Sequence, residues 1–207
     1  MGDARRKKLL EKQLKPLQAN AVERVCLTLK KLTTAASTHH GSDCYAHTFI
    51  GKHLFSTLGF DVEVAAGFAA WRVGQSDGSV VAHVPNVTGY LPENTQGFAY
   101  HAWLLYGNKI IDLTTYQLRK KAFDLDAADG GHTDVDWCPD FLYVDQQETS
   151  SYKQVAQGNT GLYYYERNIS VESKLANGFS PDPEDLVIAE IILNSANLTV
   201  IGPNQFS

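Results

Sequence analysis

Gly107-Asn108, set between two apolar-rich segments, restricts how this chain can fold more than any other feature. A loop of this kind favours a tight two-residue hairpin between antiparallel strands, and a hairpin fixes which residues oppose one another. Pairing Tyr106 with Lys109 sets Trp103 opposite Asp112 and His101 opposite Thr114. Side chains alternate along a strand, so His101, Trp103, Ile110, Asp112 and Thr114 share one face. His101 and Asp112 become diagonal neighbours, a separation that long side chains close to a hydrogen bond. Ala102, Leu104, Ile111 and Leu113 take the opposite face, where they form a core set. A slip of one residue would exchange the faces, so turn and hydrophobic pattern specify the same register.

Upstream of the hairpin, Phe49, Ile50, Leu54, Phe55 and Leu58 recur at helical spacing. They predict a helix over residues 43–58 with Ser42 or Asp43 as N-cap and Gly59 as terminator. Cys44 falls in its first turn, where unpaired amides and the positive end of the helix dipole favour a thiolate. An earlier helix is predicted over residues 17–32 from Val22, Val25, Cys26, Leu29 and Leu32, with Cys26 a small buried hydrophobe on its stripe. The small polar residues 33–42 read as a loop. Residues 60–73 and 80–84 read as strands, residues 98–114 as the hairpin, and the Pro/Gly/Asn-containing segment 85–97 as a mobile flap beside a site.

Composition excludes several classes. The 207 residues suffice for one domain with a sizeable core, and no linker divides them. A net charge of -5 argues against a general nucleic-acid binder, and no apolar run is long enough to span a bilayer. Arg5, Arg6, Lys7, Lys8, Lys12 and Lys15 crowd the first turns without the apolar core of a signal peptide, so residues 1–16 read as a frayed or solvated basic helical end. Three cysteines, Cys26, Cys44 and Cys138, lack both disulfide-scaffold and metal-finger spacing, which leads to a reducing, cytoplasmic setting as the expectation.

The second half is less legible. Residues 122–140 hold Asp124, Asp126, Asp129, Asp134 and Asp136, but their spacing fails the calcium-loop template, so a solvated acidic loop is expected there. Cys138 reads as structural. Residues 141–144 and 162–165 read as strands, and a last helix is expected from Pro183 after Ser180 or Asp182, through Leu186, Ile188, Ile191 and Ile192.

A thiol becomes a useful nucleophile when a base lowers its effective pKa and a third group fixes the tautomer of the base. Cys44, His101 and Asp112 are placed for those three roles: a cysteine at a helix start, then a histidine and an aspartate on paired strands of one hairpin. Singly, each has a bland reading as an inert thiol, a structural histidine or a cap for the next helix. Ser-Asp-Cys44, the Ala-Gly-Phe68 strand, His101-Ala-Trp103 and Ile-Asp112-Leu-Thr together resemble the transglutaminase-like branch of the papain-like cysteine peptidase superfamily, closest to small bacterial members of it. The resemblance covers residues 41–114. It implies an α+β fold of papain-like or transglutaminase-like type, with N-terminal helices and the cysteine helix packed on an antiparallel sheet.

Relatives in that superfamily include transglutaminases, peptidases, amidases and arylamine N-acetyltransferases, so the shared element is attack on an acyl carbon. Papain has a glutamine shortly before its cysteine for the oxyanion hole, whereas this chain reads Thr38-His39-His40-Gly41-Ser42-Asp43. The hole would then combine the Cys44 backbone N–H with His39 or His40. A zinc cluster of His39, His40, Cys44 and His47 is the competing reading, and it would consume the nucleophile. His47, His53, His83 and His132 are expected to be ordinary surface or core histidines, and Trp71 and Trp103 to wall the substrate site. The expected protein is a cofactor-free thiol enzyme acting on a peptide, protein or small amide or thioester substrate. Acyl transfer to an amine and a catalytically silent binding module on the same scaffold are the alternatives.

Overall fold

The computed structural model describes residues 16–37, 42–85, 99–178, 182–195 and 197–205. Most of the expected flap, the Ser180 cap and the basic residues 5–15 therefore lie outside the described residues. Two helices come first, α1 (Ala19–Ala36) and α2 (Cys44–Thr57). Strands β1 (Glu63–Arg72), β2 (Val80–His83), β3 (His101–Tyr106) and β4 (Lys109–Asp112) follow. Then come α3 (Leu118–Asp129), β5 (Leu142–Asp145), α4 (Tyr152–Gln157), β6 (Tyr163–Arg167), α5 (Ile169–Gly178) and α6 (Pro183–Asn194).

Among the described residues all strand pairs are antiparallel, in one six-stranded sheet, so the architecture is α+β. Tyr106 pairs with Lys109, Leu105 with Ile110 and Leu104 with Ile111, which is the register the turn dipeptide specifies. Gly107 supplies the positive φ of 60° that the tight loop needs. β1 is the organising strand, joined to β3 along 63–67, to β6 along 67–71 and to β2 along 69–72. His83 lies opposite Ala69 and His101 opposite Gly67, so the end of β2 and the start of β3 sit two rungs apart along β1.

One face of the sheet, through Leu104, Tyr106 and Ile111, packs on Val25 and Leu29 of α1, Leu54 and Phe55 of α2 and Ile192 of α6. Gly51 lets α2 approach closely, because a Cβ there would lie 2.6 Å from the Leu113 side chain. The other face buries Ala69, Trp71 and Val81 against Leu118 and Ala122 of α3. That helix corrects the expectation of an acidic loop over residues 122–129, while residues 130–140 form neither helix nor strand. Its apolar positions Leu118, Ala122 and Leu125 are three and four residues apart and face the sheet, while Asp124 and Asp129 are exposed. The helix stops at Gly130, in the left-handed conformation, and Asp126 then holds Thr133 through its backbone N–H and hydroxyl.

Two short helices, α4 and α5, carry caps without a long apolar period. Ser151 and Gln154 form a capping box on α4, and the Asn168 side chain accepts the Val171 N–H at the start of α5. At α6, Asp182 accepts the Glu184 N–H and Pro183 opens the first turn, as expected from sequence. No helix among the described residues is long and apolar enough to cross a membrane.

Candidate active site

Cys44 is the first residue of α2 and is only 4% exposed, in a small cluster with Tyr45, Ala66, Ala102 and Val171. Asp43 is the N-cap by position, yet its side chain makes no capping hydrogen bond. It accepts the Ser37 hydroxyl at 2.7 Å and lies 3.3 Å from the ring of His47. His47 is buried one turn beyond Cys44 and meets the Asp43 carbonyl at 3.1 Å and the Tyr116 hydroxyl at 2.8 Å. The helix start is thereby anchored from behind, and the Asp43 carboxylate is drawn off the amides beside the thiol.

His101 opens β3 and Asp112 closes β4, and both are completely buried. His101 Nε2 lies 2.8 Å from Asp112 Oδ2. The same oxygen receives the Tyr165 hydroxyl at 2.7 Å, and the Tyr165 oxygen in turn receives the Trp71 indole N–H at 2.9 Å. Asp112 Oδ1 receives the Thr114 N–H and the Thr114 hydroxyl, each at 2.9 Å. Two of these donors are one-way. An indole N–H can only donate, so the single proton of Tyr165 must point to Asp112, and a backbone N–H can only donate to the other oxygen. Asp112 is therefore an ionised acceptor, and His101 Nε2 carries a proton. In the neutral ring Nδ1 is left bare. It is buried, makes no hydrogen bond of ordinary length and is the ring atom that remains for Cys44.

The electrostatics follow from this arrangement. Burial pushes the Asp112 carboxyl up, but the charge and hydrogen bond of His101, the Lys121 ammonium and the Tyr165 hydroxyl outweigh it and hold it well below the carboxylate range. Burial alone would lower His101, and Asp112 overturns that and raises it above its ordinary 6.5. Burial raises the Cys44 thiol, but the contact and charge of His101, then Lys121 and the Ala102 amide, bring it below 9.0. The shifts of Cys44 and His101 both favour a thiolate beside an imidazolium. Lys121 is 4% exposed, lies 5.5 Å from the Trp71 ring centroid and has no carboxylate within ion-pair distance among the described residues.

The other two thiols differ. Cys26 donates to the Asp140 carbonyl at 3.1 Å, and burial followed by Asp140 pushes it up to about 12. Cys138 points to the Thr115 and Tyr116 carbonyls. His39 and His40, the expected oxyanion donors, lie outside the described residues. Tyr100, which the sequence reading passed over, packs against the Cys44 cluster.

Trp71 and Trp103 both sit against the histidine, and of the two only Trp103 also lines the neighbouring cleft. Trp71 is fully buried and meets the His101 ring edge-on at 4.7 Å, and Trp103 stacks on the other side at 6.3 Å. His83, expected as a surface or core histidine, is half-buried with its ring parallel to that of His101 at 5.9 Å. Tyr165 and His83 were missed because they reach His101 through strands paired with β1, which leaves no local spacing signal; the alternation of β1 and β2 alone would have placed His83 on the Trp71 face. His53 pairs with Glu190 at 2.6 Å, and His132 is exposed near Asp134. A cleft of about 750 Å³ opens on the His101 face, floored by Trp103, Ile110 and Tyr165 and rimmed by Lys52, Glu63 and Arg167.

No family model and no curated protein matches the chain. A solved structure, the crystal structure of genomics APC5867, is similar in fold at a TM-score of 0.55 and 15% identity, over 91% of this chain and 83% of that one.

Proposed function

We propose that this chain is a thiol enzyme of the transglutaminase-like branch of the papain-like superfamily, cleaving an amide or peptide bond through a thioester on Cys44. The observation that carries the reading is the buried His101–Asp112 pair at 2.8 Å, with no hydrogen-bond partner among the described residues taking up Nδ1 and the nearby thiol shifted toward thiolate. Cysteine at a helix start, followed by histidine and aspartate on neighbouring antiparallel strands, supports the papain-like assignment of the α+β fold.

In the first half-reaction the Cys44 thiolate attacks the acyl carbon and a C–S bond forms. The Cys44 N–H at the uncapped start of α2 helps to hold the oxyanion. The C–N bond then breaks, and the His101 imidazolium passes its Nδ1 proton to the leaving amine. In the second half-reaction neutral His101 takes a proton from water and becomes the imidazolium, the hydroxide adds to the thioester carbon, and the C–S bond breaks to restore the thiolate and release the carboxylic acid, which gives its proton to solvent. Asp112 holds the ring throughout and stays ionised.

Acyl transfer to an amine is the second reading, favoured by the 4% exposure of Cys44, since a shielded thioester survives longer for an amine to attack. Intact-mass measurement after incubation with activated acyl esters tests both. The expected result is one acyl adduct, lost in Cys44→Ser, whose decay releases acid in water and an amide when an amine is added. An adduct that persists in Cys44→Ser, or none from any donor, would overturn the proposal.

A further inference from the structure

The Asp112 carboxylate is held by more than the backbone around it, and the additional contact comes from a residue 53 positions later in the sequence. Tyr165 on β6 donates to Oδ2 at 2.7 Å, the same atom that accepts His101 Nε2. Left alone, a tyrosine hydroxyl can turn and donate elsewhere. Here it cannot, because the Trp71 indole N–H fills its acceptor side at 2.9 Å and Trp71 is itself fixed in the core of β1. The phenol ring is also packed edge-on against Trp103 at 5.2 Å and Trp71 at 5.9 Å.

We infer that Tyr165 is a positioning residue of the proposed thiol enzyme: locked by the Trp71 N–H, its hydroxyl fixes Asp112 as an acceptor and so holds the His101 Nε2–H on Asp112 and keeps Nδ1 turned to Cys44. The inference rests on the thiol-enzyme reading. Without the Tyr165 proton, Oδ2 has His101 as its sole donor and the carboxylate can rotate about its remaining bonds to Thr114. Ring orientation then degrades, while Tyr165 itself touches no reacting atom.

The pH dependence of Cys44 alkylation is the natural readout. Titratable and charged groups facing Asp112 are His101 on β3, Tyr165 on β6, Lys121 on α3, His83 on β2 and Cys26 on α1. Of these only Tyr165 is altered by Tyr165→Phe, which keeps the ring and removes one oxygen. Iodoacetamide labelling of Cys44, followed by mass spectrometry between about pH 5 and pH 9, compares wild type with Tyr165→Phe, Asp112→Asn and the double variant. Tyr165→Phe should slow the plateau rate roughly tenfold, the loss expected for one hydrogen bond to a charged group, and move the pH of half-maximal rate upward. In the Asp112→Asn background it should cost nothing further, because the group it acts through has gone.

Trp71→Phe supplies a second arm if Tyr165→Phe fails to fold, and it should move the half-maximal pH in the same direction by releasing the tyrosine hydroxyl. A wild-type rate and profile in Tyr165→Phe, with Asp112→Asn slow, would overturn the inference alone. An equal slowing in the presence and absence of Asp112 would also overturn it, by making the effect structural. Wild-type rates in both Asp112→Asn and His101→Ala would instead remove the thiol-enzyme reading, and the inference with it.

Discussion

At Asp112 the whole site is compressed into one carboxylate with four hydrogen bonds. Such a group links stability to pH. Its folded-state pKa lies below the unfolded value near 3.8, so its contribution is fully present above that value and is lost as pH falls through the folded one. His101 has the opposite sign: raised above 6.5, it contributes below that value and loses the contribution as pH rises through the folded one. Asp112→Asn should therefore be less stable than wild type at neutral pH and should lack part of the acid-side decline. Urea midpoints measured from neutral to strongly acidic pH check this, and curves that stay parallel to wild type throughout would contradict it.

The elements place these residues, and Gly67 on β1 shows how narrowly. A Cβ at Gly67 would sit 2.0 Å from the Glu166 carbonyl oxygen and 2.7 Å from the Asn168 nitrogen, both backbone atoms with no rotamer to yield. Gly67→Ala should push β6 off β1, lower stability by about 3 kcal/mol and slow Cys44 alkylation, because Tyr165 moves with β6. A wild-type urea midpoint would show the clash to be absorbed without separating the strands. How much of this was legible varied with the kind of signal. The turn at Gly107-Asn108 and the alternation around it specify the β3–β4 register locally, so His101 and Asp112 could be paired from sequence, and the apolar stripe of α2 gave the position of Cys44. The Tyr165 and His83 contacts depend on which strands join β1, a non-local choice that carries no spacing signature. The α3 helix was hidden for a different reason: three apolar residues suffice to dock twelve, and its aspartates dominate the composition.

At the scale of the molecule, the antiparallel sheet separates two packed layers, with α1, α2 and α6 on one face and α3 on the other. The start of α2 meets the sheet where β3 begins, which brings the thiol to the histidine. Because His101 and Asp112 are part of that sheet and not of a surface loop, their geometry is as rigid as the core around them. The central claim is that Cys44 exists as a thiolate held by His101, and the pH profile of its alkylation tests it most directly. Modification of Cys44 by iodoacetamide should reach its plateau well below the ordinary thiol value of 9.0, and in His101→Ala the profile should move up to that value or beyond, as burial alone dictates. A Cys44 rate that rises only through the ordinary thiol range and is unchanged by His101→Ala would contradict the account.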